Sequence, residues 1–331
     1  MNKPRFDVLC IGNAIVDVIA DADDAFLSKQ DLHKGSMRLI DEAEAVRLYE
    51  AMGPGREISG GSAGNTAAGL AALGIRTAFV GQVANDQLGA IYRHDIESQG
   101  IEFLVPPRSD VGATARSLIL VTPDAQRTMN TFLGAAQLLE KSSVDLGAVA
   151  DSGIVYLEGY LWDPASPREA MEAAIQAAHG AGRKVAFTLS DTFCVDRHRD
   201  GFWKLLRDRK VDILFANEAE AASMAMVNDL EEAVAALSAE VETLVVTRSE
   251  DGAIAVSGGE RASVPARPIE RLVDTTGAGD LFAAGFLAGQ ARKRSLEDSL
   301  RLGAIAAAEV IQHYGARPEE DLRLLAGDLL G

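Results

Sequence analysis

The stretch Asp274-Thr275-Thr276-Gly277-Ala278-Gly279-Asp280, running on through Leu281-Phe282-Ala283-Ala284-Gly285-Phe286-Leu287, is the most informative part of this chain. Its first half places small residues where a backbone must come close to something. Its second half is an apolar run of small residues with helical character. A helix start offers N–H groups without intrahelical partners and a partial positive charge. Glycines leave those groups open to an anion. Asp280 stands at the mouth of the same site, where a carboxylate can take a proton from an attacking hydroxyl. Charge stabilisation, in-line placement and often a base are what phosphoryl transfer requires. The plainer alternative is a capped helix start after a turn, because Thr and Asp also cap helices. The Walker A pattern is absent, and no G-x-G-x-x-G follows the first strand, so two familiar phosphate motifs are missing.

Outward from this segment, short apolar runs alternate with helical patterns. Strands are expected at Phe6–Ile11, Ile15–Ala20, Met37–Ile40, Thr77–Val83, Ile154–Leu157, Val185–Leu189, Ile213–Ala216 and Leu244–Thr247. Helices are expected at Glu42–Met52, Ala63–Leu73, Pro167–Ala178, Phe202–Asp208, Glu218–Met226, Gly279–Ala288 and Leu296–Gln312. The alternation implies an α/β domain with a mostly parallel sheet, whose ligands bind at the carboxyl ends of the strands. Leu104–Phe132 breaks the rhythm. Arg116–Val121 and Thr128–Phe132 flank Thr122-Pro123-Asp124-Ala125-Gln126 and read as a hairpin. With the 15–40 region it is expected to form a small separate sheet.

Bulk properties narrow the function classes. A chain of 331 residues with 47% apolar and 24% charged residues can bury a substantial core. No apolar run approaches the roughly 18 residues of a spanning helix, and the first residues lack a signal-peptide plan. A cytoplasmic protein without membrane partners is expected. The 49 acidic against 32 basic residues give a net charge of −17, which argues against nucleic acid as a partner. A small anion remains compatible, because a local nest of N–H groups can hold it. Cys10 and Cys194 read as buried free thiols, and the histidines show no zinc spacing. Asp21, Asp23 and Asp24 read as a solvated turn, since Phe26 stands where a calcium loop needs glycine.

Three segments in order resemble one family. Asp274–Leu287 resembles the C-terminal signature of the ribokinase-like (PfkB) carbohydrate and nucleoside kinases. Gly60-Gly61-Ser62-Ala63-Gly64-Asn65-Thr66-Ala67, continuing through Gly81 to Asp86 and Gly89, resembles the N-terminal signature. Asn217-Glu218-Ala219-Glu220 matches the family's Asn-x-x-Glu motif. The resemblance implies an αβα sandwich with a mostly parallel central sheet and a small β-sheet lid. The large domain would comprise 1–14, 53–103 and 137–331, and the lid 15–52 and 104–136. It further implies ATP and Mg²⁺, with Asp280 as catalytic base. The N–H groups of Gly277, Ala278 and Gly279 would form the anion hole. Asn217 and Glu220 would organise Mg²⁺ through water, although on their own they read as a helix N-cap and a surface acid. Thr247 and Gly252 would lie over the nucleotide, where Ser249 replaces the family's usual glycine. Ala304 and Ala307 would line the adenine pocket. K⁺ is admitted as a further cofactor near Asp274 and Thr276.

The acceptor is read from fewer residues. Gly12-Asn13-Ala14-Ile15-Val16-Asp17 resembles the start of adenosine kinases more than that of hexose kinases. An Asp at a strand end can accept two hydrogen bonds from a cis-diol. Asn13, Gly60, Gly61, Ser62 and Asn65 would add contacts to the same sugar. Tyr160, Trp162 and Phe193 follow predicted strands and would hold a base, with Leu133 of the lid above them. Arg127 matches a lid arginine of adenosine kinases and would reach the γ-phosphate. The expected activity is transfer of the γ-phosphate to the 5′-hydroxyl of a nucleoside, adenosine first. Guanosine or inosine kinase, a sugar kinase of the same family and a silent nucleoside-binding protein are the alternatives. A monomer or homodimer would be the working unit.

Overall fold

The computed structural model describes residues 3–124 and 126–331. The expected apolar runs form strands because they can be buried on both faces, as parallel sheets require. The main sheet contains β1 (Phe6–Ile11), β5 (Thr77–Val80), β6 (Glu102–Phe103), β9 (Ser152–Glu158), β10 (Lys184–Thr188), β11 (Ile213–Asn217), β12 (Thr243–Thr247), β13 (Ala253–Ser257) and β14 (Glu260–Val264). Their order is β14-β13-β12-β11-β10-β9-β1-β5-β6. All neighbours pair in parallel except β12–β13 and β13–β14, which are antiparallel. The β13–β14 pair, which the sequence pattern did not disclose, extends one edge. From β1 the chain winds outward to β5 and β6, then returns to β9 and winds the other way. The switch point therefore lies between β1 and β9, where such sheets place ligands. Two separate apolar cores cover the two faces of the sheet, one centred on helices Ser62–Ala72, Ala278–Ala291 and Leu296–Val310, the other on Ala165–Gly180 and Thr192–Arg207.

The small sheet has five strands in the order β3-β8-β7-β2-β4. They are β2 (Ile15–Asp21), β3 (Met37–Leu39), β4 (Arg56–Gly60), β7 (Ala115–Val121) and β8 (Arg127–Phe132). The expected hairpin is present, with β7 and β8 antiparallel; Ala125 in its turn lies outside the described residues. β4 was not foreseen, because it follows a Gly-Pro-Gly turn and alternates weakly. It pairs antiparallel with β2, so residues 56–60 belong to the small sheet and not to the large domain. The 21–24 stretch is also not a mere turn: Asp23 caps a helix over Asp24–Lys29 by accepting from the Phe26 N–H.

Pairing aligns Asp17 with Ile58 and Ser117, Ser117 with Thr131, and Thr131 with Leu39. Opposed residues share a face, and Arg127, paired with Val121, lies on the same one. The opposite face packs on helix Glu42–Ala51 and on the first core.

Candidate active site

The helix expected after the Thr-Thr-Gly turn begins at Ala278 and runs to Ala291. Gly277 caps it with φ +79°, a left-handed conformation that favours glycine. A Cβ there would also collide with Ala316. No side chain caps this helix start; the Gly277 and Gly279 N–H groups stay available for a ligand, while the Ala278 N–H donates to the Thr275 carbonyl at 3.2 Å. Asp280 lies in the first turn. Its Oδ1 accepts from Ser62 Oγ at 2.6 Å and its Oδ2 from Asn65 Nδ2 at 2.8 Å. Burial pushes its carboxyl above the ordinary aspartate range, against those two donors and the Arg317 charge.

Asp17 faces this centre from β2. Gly60 of β4, paired with Ile15, lies beside it, and a Cβ there would overlap the Asp17 carboxylate. Burial pushes Asp17 up to about 6, opposed by the charges of Arg317 and Arg127. Asn13 is turned the other way: its backbone N–H and its Nδ2 both donate to Glu158 Oε1 at 2.7 Å. Glu158 Oε2 accepts from the Ala63 N–H at 2.8 Å, near the start of helix Ser62–Ala72. Burial raises Glu158 to about 7 despite these donors.

Arg127 reaches across from the lid. Its guanidinium pairs with Asp274 at 2.8 Å and donates to Thr276 Oγ1 at 3.1 Å. Asp274 is buried and also accepts from the Thr276 N–H and hydroxyl and from the Gly315 N–H. This arginine of the small sheet therefore touches the turn that leads into helix Ala278–Ala291.

Asn217 is the helix N-cap that its sequence suggests. Asn217 caps helix Glu218–Ala225 in a full capping box: Asn217 Oδ1 accepts from the Glu220 N–H at 2.8 Å, and Glu220 Oε2 accepts from the Asn217 N–H at 3.0 Å. Glu220 is not a surface acid, however. It is buried, and burial raises it to about 7, with Asp191 and Asp280 adding to the effect. Oxygen donors that include a buried carboxylate on which no cation acts fit Mg²⁺. Because the capping box occupies both side chains, the fit is through water.

Thr247 ends β12, and the turn after it is sharp. Ser249 sits at φ +48°, a left-handed conformation that favours glycine. Gly252 has φ +88°, and a Cβ would run into the Val264 carbonyl. Ala304 and Ala307, three residues apart on helix Leu296–Val310, are half-buried and pack beside the first core.

The expected aromatic slot is not assembled. Trp162 is a core residue: it is 6% exposed and packs edge-on against Phe202 with ring centroids 5.9 Å apart. The 3₁₀ turn Gly159–Trp162 carries the indole down beneath the strand ends. Phe193 stands 71% exposed in the first turn of its helix. Tyr160 is half-buried, and its hydroxyl donates to the Ser190 carbonyl at 3.3 Å. Leu133 is half-buried beside the end of β8. Sequence reasoning missed Leu39 and Met37, 61% and 53% exposed at the edge strand of the lid. Leu39 shares its face with Asp17. It also missed Arg317, whose partners lie 252 and 258 residues away, and Glu158. An acid closing an apolar strand was the available signal for Glu158.

The pfkB family carbohydrate kinase model matches residues 5–322. The chain belongs to that family. It is accordingly a phosphotransferase with an alcohol acceptor, and the family implies use of ATP and Mg²⁺. The structure is similar to that of a probable sugar kinase from Rhizobium etli CFN 42, with 50% identity, TM-score 0.91 and 98% of each chain covered. It is also similar to that of an adenosine kinase from Sinorhizobium meliloti, with 49% identity, TM-score 0.90, and 97% of this chain and 98% of that one covered. Among curated proteins, an adenosine kinase of Saccharomyces cerevisiae is 27% identical over 330 residues, covering 93% of this chain and 95% of its own. No helix among the described residues is long and apolar enough to cross a membrane.

Proposed function

We propose that this family member is an adenosine kinase, transferring the γ-phosphate of ATP to the 5′-hydroxyl of the nucleoside. The observation that carries the chemistry is Asp280, a carboxylate held by Ser62 and Asn65 at an uncapped helix start. Each Asp280 oxygen keeps a free lone pair after its one hydrogen bond. The acceptor hydroxyl passes its proton to Asp280 as its oxygen bonds the γ-phosphorus. The bond from that phosphorus to the bridging oxygen breaks, and ADP leaves. The N–H groups of Gly277, Ala278 and Gly279 receive the charge on the transferring group. Arg127, beside Thr276, is placed to do the same once the phosphate draws it from Asp274. Asn217 and Glu220 would hold Mg²⁺ through water, and the ion would supply further charge neutralisation on the phosphates. K⁺ enters only as an optional activator near Asp274 and Thr276.

Two features support a nucleoside over a free sugar. Asp17 and Asn65 flank the site, suited to a cis-diol. Exposed Leu39 on the Asp17 face offers apolar surface for a base. The adenosine kinase from S. meliloti at 49% identity points the same way. The probable sugar kinase from R. etli at 50% identity supports the second reading, a sugar kinase. The proposal includes a cytoplasmic location and a monomer or homodimer. An acceptor panel decides the matter: adenosine, guanosine, inosine, ribose and fructose with Mg-ATP, read by ADP release and product mass. We expect adenosine to give the highest kcat/KM. Efficient phosphorylation of a free sugar without nucleoside turnover would overturn the assignment.

A further inference from the structure

Arg317 has no part in the reaction above, yet its guanidinium lies between the lid and the proton acceptor. Its Nη1 donates to Asn65 Oδ1. Its Nη2 donates to the Ser59 carbonyl at 2.5 Å and to Ser59 Oγ at 2.8 Å. Ser59 belongs to β4, and its N–H donates to Asp95 Oδ2 at 2.9 Å from helix Gln87–Ser98. Asn65 belongs to helix Ser62–Ala72 and donates its amide to Asp280 at 2.8 Å. The chain of contacts thus runs from Asp95 through Ser59, Arg317 and Asn65 to Asp280.

The order of donors matters. An amide can be turned either way, and only one orientation offers its NH₂ to Asp280. The guanidinium is donor-only. Turning Asn65 would set NH₂ against guanidinium and the amide oxygen against the carboxylate. Arg317 is also the cation that acts on Asp280, and it acts on Asp17 more strongly than Arg127 does. Asp17 of β2, Asp280 of helix Ala278–Ala291, and Asp95 and Tyr92 of helix Gln87–Ser98 all act on it. Asp280 is in turn felt by Tyr156 and Glu158 of β9, by Tyr160 and by Glu220.

We infer that Arg317 is a positioning residue for the proton acceptor: it fixes the Asn65 amide toward Asp280 and places positive charge beside the Asp17 and Asp280 carboxylates. The inference rests on the reading of Asp280 as base. Full-length wild type, Arg317→Met and Arg317→Lys are compared by kcat and by KM for each substrate across pH, with thermal melting alongside. In Arg317→Met the acid limb of kcat moves to higher pH, because Asp280 ionises less readily without the countercharge. Its kcat falls by about 10- to 100-fold, at the low end of what a misplaced general base costs, while the KM for ATP stays within about two-fold of wild type, the pattern of a lost transition-state contact. In Arg317→Lys the limb returns toward wild type but kcat stays low, since an ammonium cannot hold two partners in a planar fork. If Arg317→Met does not fold, Arg317→Lys alone carries the test, and wild-type kcat in it overturns the inference. A melting shift with unchanged kcat and limb would mark Arg317 as merely structural and also overturn it. A wild type that turns over no acceptor would instead sink the kinase reading, and this inference with it.

Discussion

Asp17 shows how one side chain is set by its surroundings. Burial raises it to about 6, although two arginines oppose the effect. Above that pH it is an acceptor-only carboxylate, suited to two sugar hydroxyls. As pH falls through about 6 it takes up a proton and loses acceptor capacity. The KM for the acceptor should therefore rise below pH 6 while the KM for ATP changes little, and Asp17→Asn should remove that dependence. Steady-state kinetics between pH 5 and 8 checks this; an acceptor KM that is flat across the interval would remove Asp17 from the sugar contact. Asp17 and Asp280 were legible in the sequence because each interrupts or opens an apolar run. Arg317 was not, because a lone arginine in a Gly- and Pro-punctuated stretch has no periodic signal and its partners are remote in sequence. Trp162 misled for a related reason. Its place after a strand is visible, but the 3₁₀ turn that directs the indole into the core is not.

The helix beginning at Ala278 carries the site because its first turn is bare. That depends on Gly277, whose left-handed backbone lets the chain enter without a capping side chain. Gly277→Ala should cost about 1–2 kcal/mol in stability from the backbone alone, with further loss from the collision with Ala316. Turnover should fall far more than the melting point implies, because the three N–H groups no longer converge. Denaturant melts and kcat on the same preparation check this; wild-type turnover in a destabilised variant would show that the turn only starts a helix. Elements with a clear apolar period were legible throughout the main sheet. Helix Thr192–Arg207 was seen only from residue 202, because Asp196-Arg197-His198-Arg199-Asp200 obscures its apolar stripe. Helices Gln87–Ser98 and Leu230–Ser238 were unseen, and both begin from an aspartate cap. Strands β13 and β14 were unseen because β13 is a short run of mostly small residues and β14 is mostly exposed and resembles a loop.

At the scale of the whole molecule, the winding of the main sheet and the five-stranded lid bring distant residues to one place. Asp280 and Asn65 are 215 residues apart in sequence. Arg127 of the small sheet and Thr276 of the turn before helix Ala278–Ala291 are 149 apart. The Arg127–Asp274 pair joins the small sheet to the segment that leads into helix Ala278–Ala291, on the side where phosphate would enter. Drawing the lid over the site would exclude water, which otherwise competes with the acceptor for ATP.

The claim at the centre of this account is that Asp280 accepts the proton of the attacking hydroxyl. The most direct test compares wild type with Asp280→Asn in adenosine phosphorylation, with adenosine affinity measured on the same proteins by calorimetry. The account predicts a kcat lowered by about 10²- to 10⁴-fold with adenosine affinity within a few-fold of wild type. Near-normal turnover in Asp280→Asn would contradict it.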